Sequence, residues 1–233
     1  MRVSRFFVES LEERLSLGTE ESHHATSVLR LRPGDELELF DGRGGAGRYR
    51  MAAAARKGVE VELVRRTDED REPRVRVTLA FAPPRPKRTL ALIEKATELG
   101  AARFVPLETR RTRAPFPERG LEKLRRRAIE ACKQCGRNTV PSFAASMSLE
   151  ALAASERADL RLLPDTRGGK PLKQALAPAG SVLFAVGPEG GFEDEERLLL
   201  RDAGFVPVVL GRSILRVETA ALAVLACLVH ELG

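Results

Sequence analysis

Ser181-Val182-Leu183-Phe184-Ala185-Val186 runs directly into Gly187-Pro188-Glu189-Gly190-Gly191-Phe192, and this stretch decides how the chain is built. The first six residues form an unbroken apolar run, the pattern of a strand buried on both faces. Glu193-Asp194-Glu195-Glu196-Arg197-Leu198-Leu199-Leu200 follows and reads as a helix whose first turn is acidic, as the helix dipole favours. The glycines therefore fall at a strand-to-helix junction, where α/β sheets place their ligands. Gly187, Gly190 and Gly191 permit a tight turn and close approach of a ligand to the backbone.

The residue types around the junction bear on the ligand. A phosphate-binding loop offers bare N–H groups and commonly a lysine. This loop has no lysine, and Glu189, Glu193, Asp194, Glu195 and Glu196 crowd it. Carboxylates in that density repel a pyrophosphate and accept a ligand with a cationic centre and no phosphate. S-adenosylmethionine, a sulfonium carrying a neutral adenosine, fits that description. The same residues also read as an ordinary turn before a dipole-compensating helix, and the loop alone does not choose between the two. A second junction follows: Phe205-Val206-Pro207-Val208-Val209-Leu210, then Gly211-Arg212-Ser213-Ile214-Leu215-Arg216, then an apolar helix from Val217 to about Leu232. Two such turns in succession bring two loops side by side at one end of a sheet.

Gly187-Pro188-Glu189-Gly190-Gly191-Phe192, taken with Leu210-Gly211, Ile214-Leu215-Arg216 and Glu218-Thr219-Ala220, closely resembles the RsmE family. Members of that family are uridine-N3 methyltransferases of small-subunit ribosomal RNA, of the SPOUT class. The resemblance implies a SPOUT-type α/β domain with a mostly parallel sheet and a C-terminal trefoil knot, preceded by a PUA-like β-barrel. It also implies S-adenosyl-L-methionine as cofactor, the 16S rRNA of the small ribosomal subunit as partner, and a homodimer formed through the last helix. The cofactor is expected against Leu163, Pro164, Gly187, Pro188, Glu189, Gly190, Gly191, Leu210, Gly211, Ile214, Leu215 and Thr219. The sequence departs from the family pattern at Ser213, where Arg is usual, and at Val217, where Thr is usual.

Methylation at uridine N3 requires removal of the N3 proton or stabilisation of the imide anion by fixed positive charge. Arginine suits the second role, so Arg216 is the first candidate catalytic residue and Arg212 the second. Glu218 is the candidate to orient Arg216 or to cap the helix. Glu189 reads either as a base or as a structural carboxylate bonding backbone N–H groups. A phosphate contact is the competing role for Arg216.

The 233 residues suffice for one large domain or two small ones, and 31% charged with 43% hydrophobic residues is an ordinary globular balance. A net charge of +6 points to a polyanionic partner. No apolar run reaches membrane-spanning length and the start has no signal-peptide core, which makes the cytoplasm the expected location. Cys132, Cys135 and Cys227 give no disulfide framework, and the C-x-x-C pair lies within a helical pattern with no further ligands nearby, so no metal is expected.

Residues 1 to about 70 alternate as strands, around Gly34–Gly42, Arg48–Met51 and Val59–Val64, with a short helix near Thr19–Leu29. The charged, proline-ending segment Thr67–Arg74 marks the boundary, giving domains 1-72 and 73-233. Candidate RNA contacts are Arg2, Arg5, His24, Arg30, Arg113 and Arg137, with His23 and His24 at a position where the family usually carries histidine. Phe6 and Phe7 read as base-stacking or as core. Beyond Val75 the pattern changes to strands at 75–81, 104–107 and 159–163, and helices at 90–100 and 117–136, the mark of βα units on a parallel sheet. Three other readings remain beside the leading one: a SPOUT methyltransferase acting on a ribose 2′-hydroxyl, a non-catalytic RNA-binding protein, and a phosphate-bearing nucleotide enzyme.

Overall fold

The computed structural model describes residues 3–55, 58–67, 69–112 and 116–233. They pack as two compact units, Met1–Glu72 with Ile129–Val140, and Pro73–Ala128 with Pro141–Gly233.

The first unit is a five-stranded sheet of β1 (Arg5–Phe7), β2 (Arg14–Ser16), β3 (Glu36–Phe40), β4 (Ala46–Ala55) and β5 (Gly58–Thr67), in the order β1-β3-β4-β5-β2. Only the β1–β3 pair is parallel. Side chains alternate across the pleat. Leu37 and Leu39 of β3, Tyr49 and Met51 of β4 and Val59 and Val61 of β5 fill one core with Phe6. The intervening positions face outward and pair across the strands, Glu36 with Arg50 at 3.3 Å and Glu38 with Arg48 at 3.9 Å. The expected helix near Thr19–Leu29 is a single turn, α1 (Thr19–His23), passing into a π-helical turn at His24–Val28.

The C-terminal end of the long helix α3 (Glu118–Cys135) belongs to this first unit, where Ile129 and Cys132 pack on Phe40 and Ala46. Burial pushes the Cys132 thiol up to about 12, against the opposing pull of Arg137.

The second unit is an eight-stranded sheet in which every pair is parallel. Its strands are β6 (Arg76–Phe81), β7 (Ala101–Glu108), β8 (Ser142–Phe143), β9 (Met147–Ser148), β10 (Leu160–Pro164), β11 (Lys170–Pro171), β12 (Ser181–Val186) and β13 (Val206–Val209). They run β11-β13-β10-β12-β6-β7-β8, with β9 beside β7. Val182, Leu183, Phe184 and Ala185 are all essentially inaccessible, which explains why β12 has no polar alternation. Helices α2 (Pro86–Glu98), α4 (Leu149–Ser155), α5 (Leu172–Ala175), α6 (Asp194–Asp202) and α7 (Val217–Leu232) connect and cover the strands. The α2 helix begins four residues before the expected Leu90, because Pro86 occupies the first helical turn, where a missing N–H costs nothing.

Within this chain the last helix, apolar almost all round, buries one face. An all-round apolar composition predicts burial on more than one side. In the chain a single stripe is buried, Val217, Ala221, Val224, Leu225 and Leu228, while Ala226 and Cys227 are exposed.

Candidate active site

Strands β10, β12 and β13 lie side by side and parallel, so the loops at their carboxyl ends meet. Those loops, 164–167, 187–192 and 210–216, enclose a crevice of about 430 Å³. Pro164, Gly187, Pro188, Glu189, Gly190, Gly191, Leu210, Gly211, Ile214 and Leu215 all line it. Two expected cofactor contacts do not. Leu163 points into the sheet core at 1% exposure. Thr219 is exposed on α7, and Val217 and Ala220 line the crevice instead. One residue on a helix is a 100° rotation, so the motif alone could not set that phase.

The glycines have separable roles. At Gly187 a Cβ would lie 3.0 Å from the Phe192 ring, so this position is held by packing. A Cβ on Gly190 would meet the Arg111 side chain at 3.1 Å. Gly191 has φ +71, the left-handed conformation that other residues adopt at a cost. Gly211 faces open space, with no atom within 4 Å of a Cβ built on it.

The acidic residues after the loop are not the bare negative field that the sequence suggests. Glu196 is buried, accepts the Glu193 N–H at 2.8 Å in a capping box, and accepts the Arg110 N–H at 2.8 Å. Glu193 is within 3.6 Å of Arg110 and 3.4 Å of Arg111. Arg110 also pairs with Glu195, Arg167 with Asp194, and Arg111 donates to the Gly190 carbonyl. On the opposite wall Asp165 pairs with Arg197 at 2.7 Å. The carboxylates therefore do not by themselves exclude a pyrophosphate, since Arg110 and Arg111 pair with Glu193 and Glu195, and Arg167 with Asp194. Glu189 is exposed and has no ion-pair partner among the described residues.

Arg212 and Arg216 both line the crevice, both are exposed, and neither makes an ion pair among the described residues. Arg216 is the N-cap residue of α7, so its position is fixed by the start of a buried helix. Glu218 takes neither expected role. It makes no side-chain cap, and its ion pair is with Arg88 of α2, Nε to Oε1 at 3.6 Å. Its Oε2 is buried without a hydrogen-bond partner.

The candidate RNA contacts divide. Arg2 and Arg113 lie outside the described residues. Arg5 and Arg137 are structural, which corrects their reading as RNA contacts. The Arg5 side chain is 7% exposed, lies 2.8 Å from Glu38, donates to the Cys132 carbonyl and Asn138 Oδ1, and sits over the Phe40 ring. Arg137 is 3% exposed and grips Glu72 with Nε at 3.1 Å and Nη2 at 2.5 Å. Phe6 is buried and Phe7 packs edge-on against Phe40, so both belong to the core. His24 is part-exposed beside Glu21, at 4.0 Å. Arg30 is exposed and is the one non-glycine residue with positive φ among the described residues, at 57°.

The crevice has the parts that seat a nucleoside. It offers loop backbone for polar edges, the apolar Leu215 and an 86%-exposed Ile214 for walls, and the unpaired carboxylate of Glu189. A parallel sheet with such a crevice at the carboxyl ends of its strands defines the ligand-binding site of an α/β fold. The family model for an RNA methyltransferase domain matches residues 71–229, and that for an RNA methyltransferase PUA domain matches residues 17–64. Ribosomal RNA small subunit methyltransferase E of Synechocystis is 38% identical over 225 residues, covering 93% of this chain and 73% of the relative. The Mycobacterium tuberculosis protein of the same name is 33% identical over 231 residues, covering 93% and 87%. The solved structure of that enzyme from Neisseria gonorrhoeae, bound to S-adenosyl methionine, superposes with a TM-score of 0.94 at 29% identity, covering 100% of this chain and 99% of that one. This chain belongs to the ribosomal RNA small subunit methyltransferase E family.

Proposed function

We propose that this chain transfers the methyl group of S-adenosylmethionine to N3 of a uridine in 16S rRNA of the small ribosomal subunit. The observation that carries the reading is the crevice at the carboxyl ends of β10, β12 and β13, with Arg212 and Arg216 on its rim and without ion-pair partners among the described residues. When bound, the cofactor supplies an electrophilic methyl on a sulfonium. Pro188, Gly211, Ile214 and Leu215 would hold it. Arg216 faces the acceptor base, its guanidinium stabilising negative charge on the uracil oxygens as N3 loses its proton, and Arg212 supports it. Glu189, unpaired on the neighbouring loop, takes that proton.

Residues 1-72 serve as the PUA-like RNA-binding domain, and 73-233 as the methyltransferase domain with its trefoil knot. The exposed face of α7, with Ala226 and Cys227, forms the homodimer contact. No helix among the described residues is long and apolar enough to cross a membrane. The substrate places the work in the cytoplasm. Incubation with methyl-labelled S-adenosylmethionine and small subunits lacking the modification tests the reading. Label in 16S rRNA supports it, and label absent from both subunits and free RNA overturns it.

A further inference from the structure

A second and larger cavity, of about 990 Å³, adjoins the crevice and shares Pro188 and Glu189 with it. Its walls come from the loop after β6, the start of α2, Arg111, Phe116 and the first turns of α3. Three prolines, Pro83, Pro84 and Pro86, stiffen the β6–α2 loop, so Arg85 is carried on a rigid support. Arg85 and Lys123 are exposed and make no ion pair among the described residues. Arg88, also in the wall, is held by Glu218. Phe116 rests against Gly120, where a Cβ would come within 2.8 Å of the ring. A glycine in the first turn of α3 thus gives an aromatic face its place in the wall.

We propose that this cavity takes the acceptor nucleotide as part of a single RNA strand, with its flanking phosphates on Arg85 and Lys123 and its base against Phe116. The chemistry matches: unpaired cations read a phosphodiester backbone, and an aromatic face stacks an unpaired base. Position matches as well, since a base in this cavity reaches the methyl donor across Pro188 and Glu189. This inference rests on the methyltransferase reading for its choice of base, while the RNA site itself can be tested without catalysis.

The test compares wild type with the Arg85→Gln/Lys123→Gln double variant and with Phe116→Ala and Phe116→Tyr. Binding of a fluorescent, uridine-containing RNA of the small subunit is followed by anisotropy against salt. Affinity for S-adenosylmethionine is followed by calorimetry. The double variant should bind RNA at least tenfold more weakly and lose about 1.4 from the log–log salt slope, two contacts at about 0.7 each on a single strand. Its cofactor affinity should stay within twofold. Phe116→Ala should lose about 5- to 100-fold in RNA affinity, with Phe116→Tyr recovering most of it. Unchanged RNA affinity and salt slope in the double variant overturn the proposal, as does a failure of wild type to bind RNA. If wild type binds RNA through these residues yet methylates none, the cavity assignment stands and the methyltransferase reading fails.

Discussion

The Arg88 Nε lies 3.6 Å from Glu218 Oε1, tying the start of α2 to the first turn of α7 two residues beyond Arg216. Both groups are more than half shielded from solvent, and the second carboxylate oxygen of Glu218 has no hydrogen-bond partner. The pair links the wall of the larger cavity to the helix that carries the candidate catalytic arginine. Glu218→Gln should raise KM for RNA about three- to tenfold, with cofactor affinity by calorimetry unchanged. A merely structural pair would lower the melting temperature without separating the two ligands.

Arg216→Gln should lower kcat by about 10²- to 10³-fold, the usual cost of removing a donor that stabilises developing charge. Cofactor affinity should change little. Because the variant lacks the positive charge that favours the imide anion, its kcat–pH profile should shift to higher pH. An equal loss at every pH, with KM alone affected, would identify Arg216 as a phosphate contact.

Gly211→Leu places a side chain on the lip of the crevice where nothing now stands. Affinity for S-adenosylmethionine should fall at least tenfold in calorimetry while the melting temperature stays within about 2 °C, as surface substitutions change stability little. Gly190→Leu is a poorer probe, since its side chain would first displace Arg111 from the Gly190 carbonyl.

Arg137→Ala strands Glu72 in a largely buried site and should cost about 3–5 kcal/mol in urea unfolding. Replacing both with Met should recover much of that loss. RNA affinity of the folded double variant should match wild type, because Arg137 is structural.

The sites were unequally legible in sequence. The order of apolar runs and glycine turns was enough to place β12, β13 and the crevice loops, because buried parallel strands lack polar alternation and their turns need glycine. Short elements such as β8, β9 and β11 have two residues each, too few for any period to register. Arg5 and Arg137 read as RNA contacts from sequence because an arginine that binds phosphate and one that locks a buried carboxylate look identical until Glu38 and Glu72 are seen beside them. The pairing of Arg110 and Arg111 with the acidic turn is invisible in the sequence for the converse reason: nothing local links positions that far apart.

The Cys132 thiol provides a pH-dependent signature. Its folded-state value, about 12, lies above the ordinary 9.0 because burial disfavours the thiolate. The contribution is therefore complete below pH 9 and is lost as pH rises toward 12, where the unfolded chain ionises first. Unfolding free energy should fall by up to about 1.4 kcal/mol per pH unit above 9 from this group, and Cys132→Ala should flatten that limb. At pH 8 the buried Cys132 should resist alkylation until the chain unfolds.

The most direct measurement is the identity of the modified nucleoside. Small-subunit RNA treated with the protein and S-adenosylmethionine is digested to nucleosides and analysed by mass spectrometry against standards. The expected product is 3-methyluridine at a single position, formed far more slowly by Arg216→Gln and, at limiting cofactor, by Gly211→Leu. A ribose 2′-O-methyl nucleoside, or unmodified RNA from protein that binds the cofactor normally, would contradict it.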